Sequence, residues 1–387
     1  MELRIGSYEL VNYRKFLAAL IAVIFFISLN NAYAASKKSE WQPEVMIGLL
    51  GNVRQVTLQF SAQCVMTDPL TKKELQKIPA GSEITVDFSS FESNSVEIRG
   101  EKVALKDLQV LVNGQTYFGG IKLLKKNSAL TVINIAPVEE YLRGVLPNEM
   151  IQSWHIEALK AQAVAARTFV LKNRHKHKND GYELCATTHC QVYDGSKTFS
   201  TTDLAILKTR GEVLFQGGRT VDAPFHADSG GMTESAENVW GGKVAHLQPI
   251  SEEMKQTQPW TVKFTVNDFS SRMGSAFGNF KNFSLSPLTI GKSANDRSAS
   301  GRVKFLKIIG SNKTVQMKGD EVRRKFSLPS TLFDVKIENN EIIFFGYGKG
   351  HGVGLSQYGA KFYAEKGWKY DKILAHYYKG ATLKKLY

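Results

Sequence analysis

From residue 43 to about residue 135, apolar positions alternate with polar ones or run in blocks of strand length. The stretches PEVMIGLL (43–50), VRQVTLQF (53–60), SEITVDF (82–88), SVEIR (95–99), LQVLV (108–112) and LTVINI (130–135) are separated by Gly, Asn and Pro. That spacing predicts a β-rich region. The pattern changes at Pro137. VEEYLRGVL (138–146) has helical character, with Pro147 read as its stop. Residues 153–174 form the strongest helical pattern, rich in Ala and Leu, with Ser153 as the expected N-cap. Ile156, Leu159, Ala163, Ala166 and Val170 recur three or four apart and make one buried stripe. A loop-rich stretch without clear periodicity follows to about residue 245. Residues 258–345 return to short strands with a helix near Asn267–Met273, and two short helical patterns close the chain near Tyr378. The expected class is α+β: a β-rich N-terminal part, then a region with one long Ala-rich helix, short strands and long loops.

The run FLAALIAVIFFISL (16–29) follows Arg4, Arg14 and Lys15 and leads to small residues at Ala32 and Ala34. This is the layout of a secretory signal peptide cut after Ala34. The run is short for a bilayer span, which needs about 20 apolar residues, and no later segment is apolar enough to cross. An exported chain, without a membrane span after cleavage, is expected in the cell envelope. The formal net charge is +14; residues 1–34 carry three basic and two acidic residues, so the cleaved form carries +13. Such a balance suits an anionic partner. No helix-turn-helix, RNP-like or finger pattern is present, and export argues against nucleic acid. Cys64, Cys185 and Cys190 are too few for a disulfide framework, so an apolar core must hold the fold.

Two fragments echo serine proteases: CATTHC (185–190) and HADSGG (226–231). Only 39 residues lie between His189 and Ser229, too few for the barrel that would separate such a pair, and a long helix closely precedes the histidine. The DSGG turn is better read as glycines, Gly230 and Gly231, that let backbone approach a ligand. GYGKGHGVG (346–354) lacks the Ser or Thr of a phosphate loop after Lys349, and no strand–turn–helix setting for a dinucleotide is evident. It remains a loop presenting His351, Gly352, Ser356, Gln357 and Tyr358. Glu149 sits among Leu146, Met150 and Ile151 ahead of the long helix. A carboxyl walled by apolar side chains resists ionising, which raises its pKa toward that of a general acid. His177, Cys185, His189 and Cys190 could supply four tetrahedral zinc ligands, and a Cys185–Cys190 disulfide is the equal alternative.

Several fragments together resemble one family. VEEYLRGVLPNEM (138–150), EALKAQAVAART (157–168), CQVYDG (190–195), DSGGMTESAENVWGG (228–242), SGRV (300–303) and GKGHGVGLSQYGA (348–360) occur in the order of the stage II sporulation protein D (SpoIID/LytB) family. The resemblance covers residues 135–387, read as a catalytic domain following the signal peptide (1–34) and a β-rich region (35–134). It implies a lytic transglycosylase of peptidoglycan that cleaves between N-acetylmuramic acid and N-acetylglucosamine and leaves a 1,6-anhydromuramoyl end, on strands already stripped of peptide. It also permits a non-catalytic glycan binder that stimulates or recruits a cell-wall amidase. The catalytic glutamate it implies is Glu149. Gln162, Arg167, Ser229, Thr233, Trp240, His351, Ser356, Gln357 and Tyr358 are expected to contact glycan or orient the site. No cofactor is required by this chemistry, and a zinc ion at the His/Cys cluster is expected to be structural.

Overall fold

Ten strands build the first part of the computed structural model, which describes residues 41–254 and 258–387. They are β1 (Glu44–Val53), β2 (Gln55–Phe60), β3 (Cys64–Thr67), β4 (Glu74–Ile78), β5 (Glu83–Asp87), β6 (Ser95–Gly100), β7 (Gln109–Val112), β8 (Gln115–Phe118), β9 (Gly120–Lys126) and β10 (Ala129–Pro137). One sheet runs in the order β1-β10-β9-β6-β3-β4, the other β5-β2-β7-β8, all antiparallel. The alternation seen in sequence is the cause. Val56, Leu58 and Phe60 of β2 point inward against Ile98, Leu123 and Val132 and share one apolar core. β10 is buried along its whole length, because Val132 faces this core while Ala136 faces the next.

Helix α1 (Val138–Glu149) starts where β10 ends. It does not stop at Pro147 but carries through it and ends on Glu149. A proline in the last turn removes only one N–H donor, and the Asn148 side chain donates to the Gly144 carbonyl at 2.7 Å. Helix α2 (Ile156–Lys172) is capped by His155, whose ring Nδ1 accepts the Glu157 N–H at 3.2 Å; Ser153 lies outside it. The single buried stripe expected for α2 is also too narrow. Every residue from Glu157 to Val170 except Lys160 is buried, since α2 is the centre around which other elements pack. Its alanines let those neighbours come close.

The stretch expected to be loop contains β11 (Leu184–Cys185), which pairs parallel with β1, then α3 (Ser200–Lys208) and β12 (Glu212–Gln216). The boundary expected at 134/135 falls within β10, and β11 extends the same sheet, so Pro43–Leu386 form one unit. Helix α4 (Ala236–Trp240) follows. Residues 260–346 carry a separate phenylalanine-rich core in which the rings of Phe269 and Phe326 stack with centroids 4.5 Å apart. Helix α5 (Val266–Met273) and helix α6 (Gly319–Lys325) belong to this part; α7 (Gln357–Glu365) and α8 (Tyr370–Tyr377) return to α2. The expected signal peptide lies outside the described residues, and no helix among them is long and apolar enough to cross a membrane. The class is α+β, as the pattern of apolar positions predicts.

Candidate active site

Glu149, at the last position of α1, is half-buried and reaches two donors from distant parts of the chain. Its Oε1 accepts the Val192 backbone N–H at 3.2 Å, and its Oε2 accepts the Gln357 side-chain amide at 3.3 Å. Burial raises its pKa above the ordinary glutamate value; the bonds from Val192 and Gln357 act the other way without cancelling that effect. Gln357 is delivered by the first turn of α7, where Ser356 Oγ caps the helix by accepting the Gly359 N–H at 3.1 Å. The 190–195 segment is held from both flanks. Tyr141 donates to the Gln191 side-chain Oε1 at 3.1 Å, and the Gln191 side-chain Nε2 donates to the Ala166 backbone carbonyl at 3.2 Å. Tyr193 donates to the Asn134 side chain in β10 at 2.8 Å. Gly144 makes this approach possible: a Cβ there would lie 2.3 Å from the Tyr193 ring and 2.5 Å from the Gly195 carbonyl.

The same segment begins in the His/Cys cluster. The donor atoms of His177, Cys185, His189 and Cys190 all lie within 4.8 Å of one another. His177 Nε2 is 3.2 Å from His189 Nδ1, which is 3.6 Å from Cys185 Sγ and 3.7 Å from Cys190 Sγ. Ligands bound tetrahedrally to zinc at its usual Zn–N and Zn–S lengths stand about 3.3–3.8 Å apart. Asp180 accepts from His177 Nδ1 at 3.0 Å, which orients the ring and leaves Nε2 for a metal. Both cysteines are free thiols rather than a disulfide. Burial opposes ionisation of Cys185, but hydrogen bonds from Thr187 and His189 prevail and bring its pKa down to about 6.

The remaining sequence candidates divide. Arg167 is a correction: it is fully buried, with Nε and Nη2 on the two oxygens of Glu139 at 2.8 and 2.6 Å, and has no outlet to a groove. Gln162, on the same helix, is also fully buried, and neither of its polar atoms has a hydrogen-bond partner among the described residues. Ser229 and Thr233 are interior too. Ser229 Oγ donates to the buried Glu252, which also accepts from Tyr377; Thr233 Oγ1 accepts the Ile250 N–H at 2.8 Å. Gly230 and Gly231 have positive φ and make the turn that joins the DSGG segment to the later glycine-rich loop, where Asp228 and Lys349 exchange backbone bonds at 3.0 and 2.9 Å. Ser356 is interior as a helix cap. Trp240 and His351 meet with ring centroids 5.3 Å apart beside a cleft of about 400 Å³ that does not include Glu149. Tyr358, next to Gln357, is exposed and packs edge-on against Trp154.

A family model described as stage II sporulation protein matches residues 126–215. A stage II sporulation protein D from Bacillus amyloliquefaciens is 31% identical over 67% of this chain and 77% of its own length. An uncharacterized protein of Brachyspira hyodysenteriae is 34% identical over 70% of this chain and 73% of its own. The chain belongs to the stage II sporulation protein D family. An amidase enhancer of Bacillus subtilis is 31% identical over 75% of this chain, and the aligned part covers 47% of that longer protein. Membership places the protein among those acting on the cell wall. The stretch matched by the stage II sporulation model contains α1, α2, Glu149 and the His/Cys cluster, whereas residues 236–354 match a domain of unknown function. Sequence reasoning missed Val192 and Trp154 in this family member. A backbone N–H leaves no mark in the residue types. Trp154 could have been found as an aromatic five residues after Glu149, ahead of a helix.

Proposed function

We propose that the protein is an exported lytic transglycosylase that cleaves peptidoglycan strands, stripped of peptide, between N-acetylmuramic acid and N-acetylglucosamine. Glu149 is its acid and base. In the protonated form, which burial favours, Glu149 donates to the glycosidic oxygen as the C1–O bond breaks. The muramoyl 6-hydroxyl then attacks the anomeric carbon and gives its proton to the Glu149 carboxylate, which closes the 1,6-anhydro ring and resets the acid. Ordinary glycosidases require a second carboxylate as nucleophile or to activate water; an internal hydroxyl replaces it. The observation that carries this reading is the half-buried carboxyl suspended between Val192 and Gln357. Tyr358 and Trp154 offer an aromatic flank for sugar beside it.

We assign zinc to His177, Cys185, His189 and Cys190. Four protein ligands would leave no open position, so the ion would be structural, fixing the start of the segment that presents the Val192 N–H to Glu149. The export reading rests on the N-terminal signal pattern.

Incubating the purified protein and its Glu149→Gln variant with peptide-free glycan strands tests the chemistry, with mass spectrometry for anhydro-ended fragments. The wild type should release them and the variant should be slower by about 10²–10⁴-fold, the usual worth of a general acid–base group. Wild type releasing none, or variant releasing as many, overturns the assignment. The similarity to an amidase enhancer supports a second reading, a glycan binder that stimulates an amidase. Under that reading Glu149→Gln stimulates a cell-wall amidase as well as wild type does, and neither makes anhydro ends.

A further inference from the structure

The cleft beside Trp240 lies in the part of the chain that matches a domain of unknown function, and nothing in the chemistry at Glu149 uses it. A buried guanidinium is among the groups that line it. Arg302 is 2% exposed; its Nη2 donates to the Ser229 carbonyl at 2.8 Å, while Nε and Nη1 have no hydrogen-bond partner among the described residues. Leaving charged donors buried and unpaired is costly. The side chain is nonetheless held there by a dedicated fit: a Cβ at Gly352 would sit 2.5 Å from Arg302 Cζ, so only glycine allows the guanidinium to lie on the loop. Arg323, Lys304 and Lys318 add positive charge to the walls. Neither lysine has a carboxylate in ion-pair range among the described residues, and Arg323 meets Asp320 only at 3.8 Å. A single carboxylate would answer both guanidinium groups.

The opposite wall is aromatic. Trp240 is 53% exposed and is braced by His351, so an indole face stands open to solvent at the mouth of a charged cleft. Such a face covers the apolar side of a sugar ring. Three carboxylates, Glu234, Glu237 and Asp320, are also on the walls. Glu234 favours the Arg302 charge but spends its oxygens on Ser235, Asn238, Ser298 and Ser300. Together the three would repel a multiply charged phosphate, while Glu237 and Asp320 could accept hydrogen bonds from hydroxyl groups. At about 400 Å³ the cleft is in the size range of small-ligand sites. It also connects to the first site through the backbone. His351 lines it and Gln357 holds Glu149, six residues on, which bounds their Cα separation at about 22 Å.

We propose that this cleft binds a saccharide carrying a carboxylate, with the sugar ring on Trp240 and the carboxylate on Arg302 and Arg323. N-acetylmuramic acid with its lactyl group free has this chemistry, and choosing it over other acidic sugars rests on the proposed function. The cleft then grips a strand a few sugars away from the bond being cut and selects muramoyl residues that carry no peptide.

The full-length Glu149→Gln variant, which should not turn substrate over, is titrated by NMR with N-acetylmuramic acid, N-acetylglucosamine and inorganic phosphate. N-acetylmuramic acid should bind at least tenfold tighter than N-acetylglucosamine and shift the Trp240 indole resonance. Trp240→Ala and Arg323→Ala should each weaken it at least fivefold, with Arg323→Lys and the exposed Lys318→Ala as folded controls of smaller effect. Equal affinity for the two sugars, no binding of either, or indifference to both substitutions overturns the proposal. Phosphate binding as tightly as N-acetylmuramic acid and displacing it also overturns it, leaving a plain anion site. Because the readout is binding in a variant lacking the acid, it stands apart from whether Glu149 cleaves glycan.

Discussion

Replacing Arg167 by methionine should loosen the centre of the molecule rather than empty a substrate groove. The guanidinium is fully buried and bidentate on Glu139, and it also donates to the carbonyls of Glu212 and Ile206 at 3.2 and 3.4 Å. Glu139 in turn accepts the Gly211 N–H at 3.3 Å, so the pair joins α1, α2 and the turn before β12. Removing one member of a buried ion pair costs about 3–5 kcal/mol, because the partner is left charged and unpaired. Loss of the donor to the Glu212 carbonyl raises this to about 4–6 kcal/mol, while the Ile206 carbonyl keeps its bonds from Thr209. A domain holds only about 5–15 kcal/mol in total, so the variant should be barely folded. Urea unfolding followed by circular dichroism measures this. Glu139→Leu combined with Arg167→Leu should recover at least about 2 kcal/mol over the single change, since no charge is then stranded. Recovery stays partial because the Glu212 carbonyl and the Gly211 N–H lose the bonds they made to this pair. If Arg167→Met unfolds within about 1 kcal/mol of wild type and instead loses glycan binding, the residue belongs to a substrate site and the packing account is wrong.

Gly144→Ala forces a methyl into the Tyr193 ring and the Gly195 carbonyl; about 1–3 kcal/mol of stability should go, with at least tenfold of the glycan-cleaving rate, and unchanged activity would show that the 190–195 segment does not need its place against α1. Gln357→Leu removes a donor that favours the Glu149 carboxylate, so the pKa should rise further. The acid form then persists longer, and the limb of the pH–rate profile that falls with rising pH should move to higher pH; a limb that stays or moves down refutes the role. Elemental analysis of wild type should find about one zinc per chain, lost in Cys185→Ser, with a lower Tm after chelation; a Cys185–Cys190 disulfide in the peptide map and no metal would refute the assignment.

Alternation or apolar runs marked six of the ten strands of residues 43–137 but not β3, β4, β8 or β9, and the Val266–Met273 helix came out within a residue of its sequence reading. Elements whose stability is tertiary did not show. α3 opens with Ser200, Thr201 and Thr202, poor helix formers, and is made helical by packing against α2. For α2 the alanines were read as one stripe, yet only a helix enclosed on all sides has use for so many small residues. Glu149 and Gln357 were both singled out by residue type, but their meeting across 208 positions is a fact of topology alone. Arg167 looked available for substrate because its partner Glu139 lies 28 residues earlier, beyond any local pattern. The His/Cys cluster was legible because ligand chemistry survives in residue identity, whereas Val192, acting through its backbone, has no such signature.

The hydrogen bond from Tyr193 to Asn134 ties the carboxylate's support to a strand of the opening β-region. Asn134 itself is oriented by donating to the carbonyls of Phe118 and Gly120. The front end of this chain is thus not a detachable accessory that evolution, or an engineer, could trade for another module. A truncated chain starting at α1 would keep every residue of the helix that carries Glu149 and still lose the scaffold that aims that side chain.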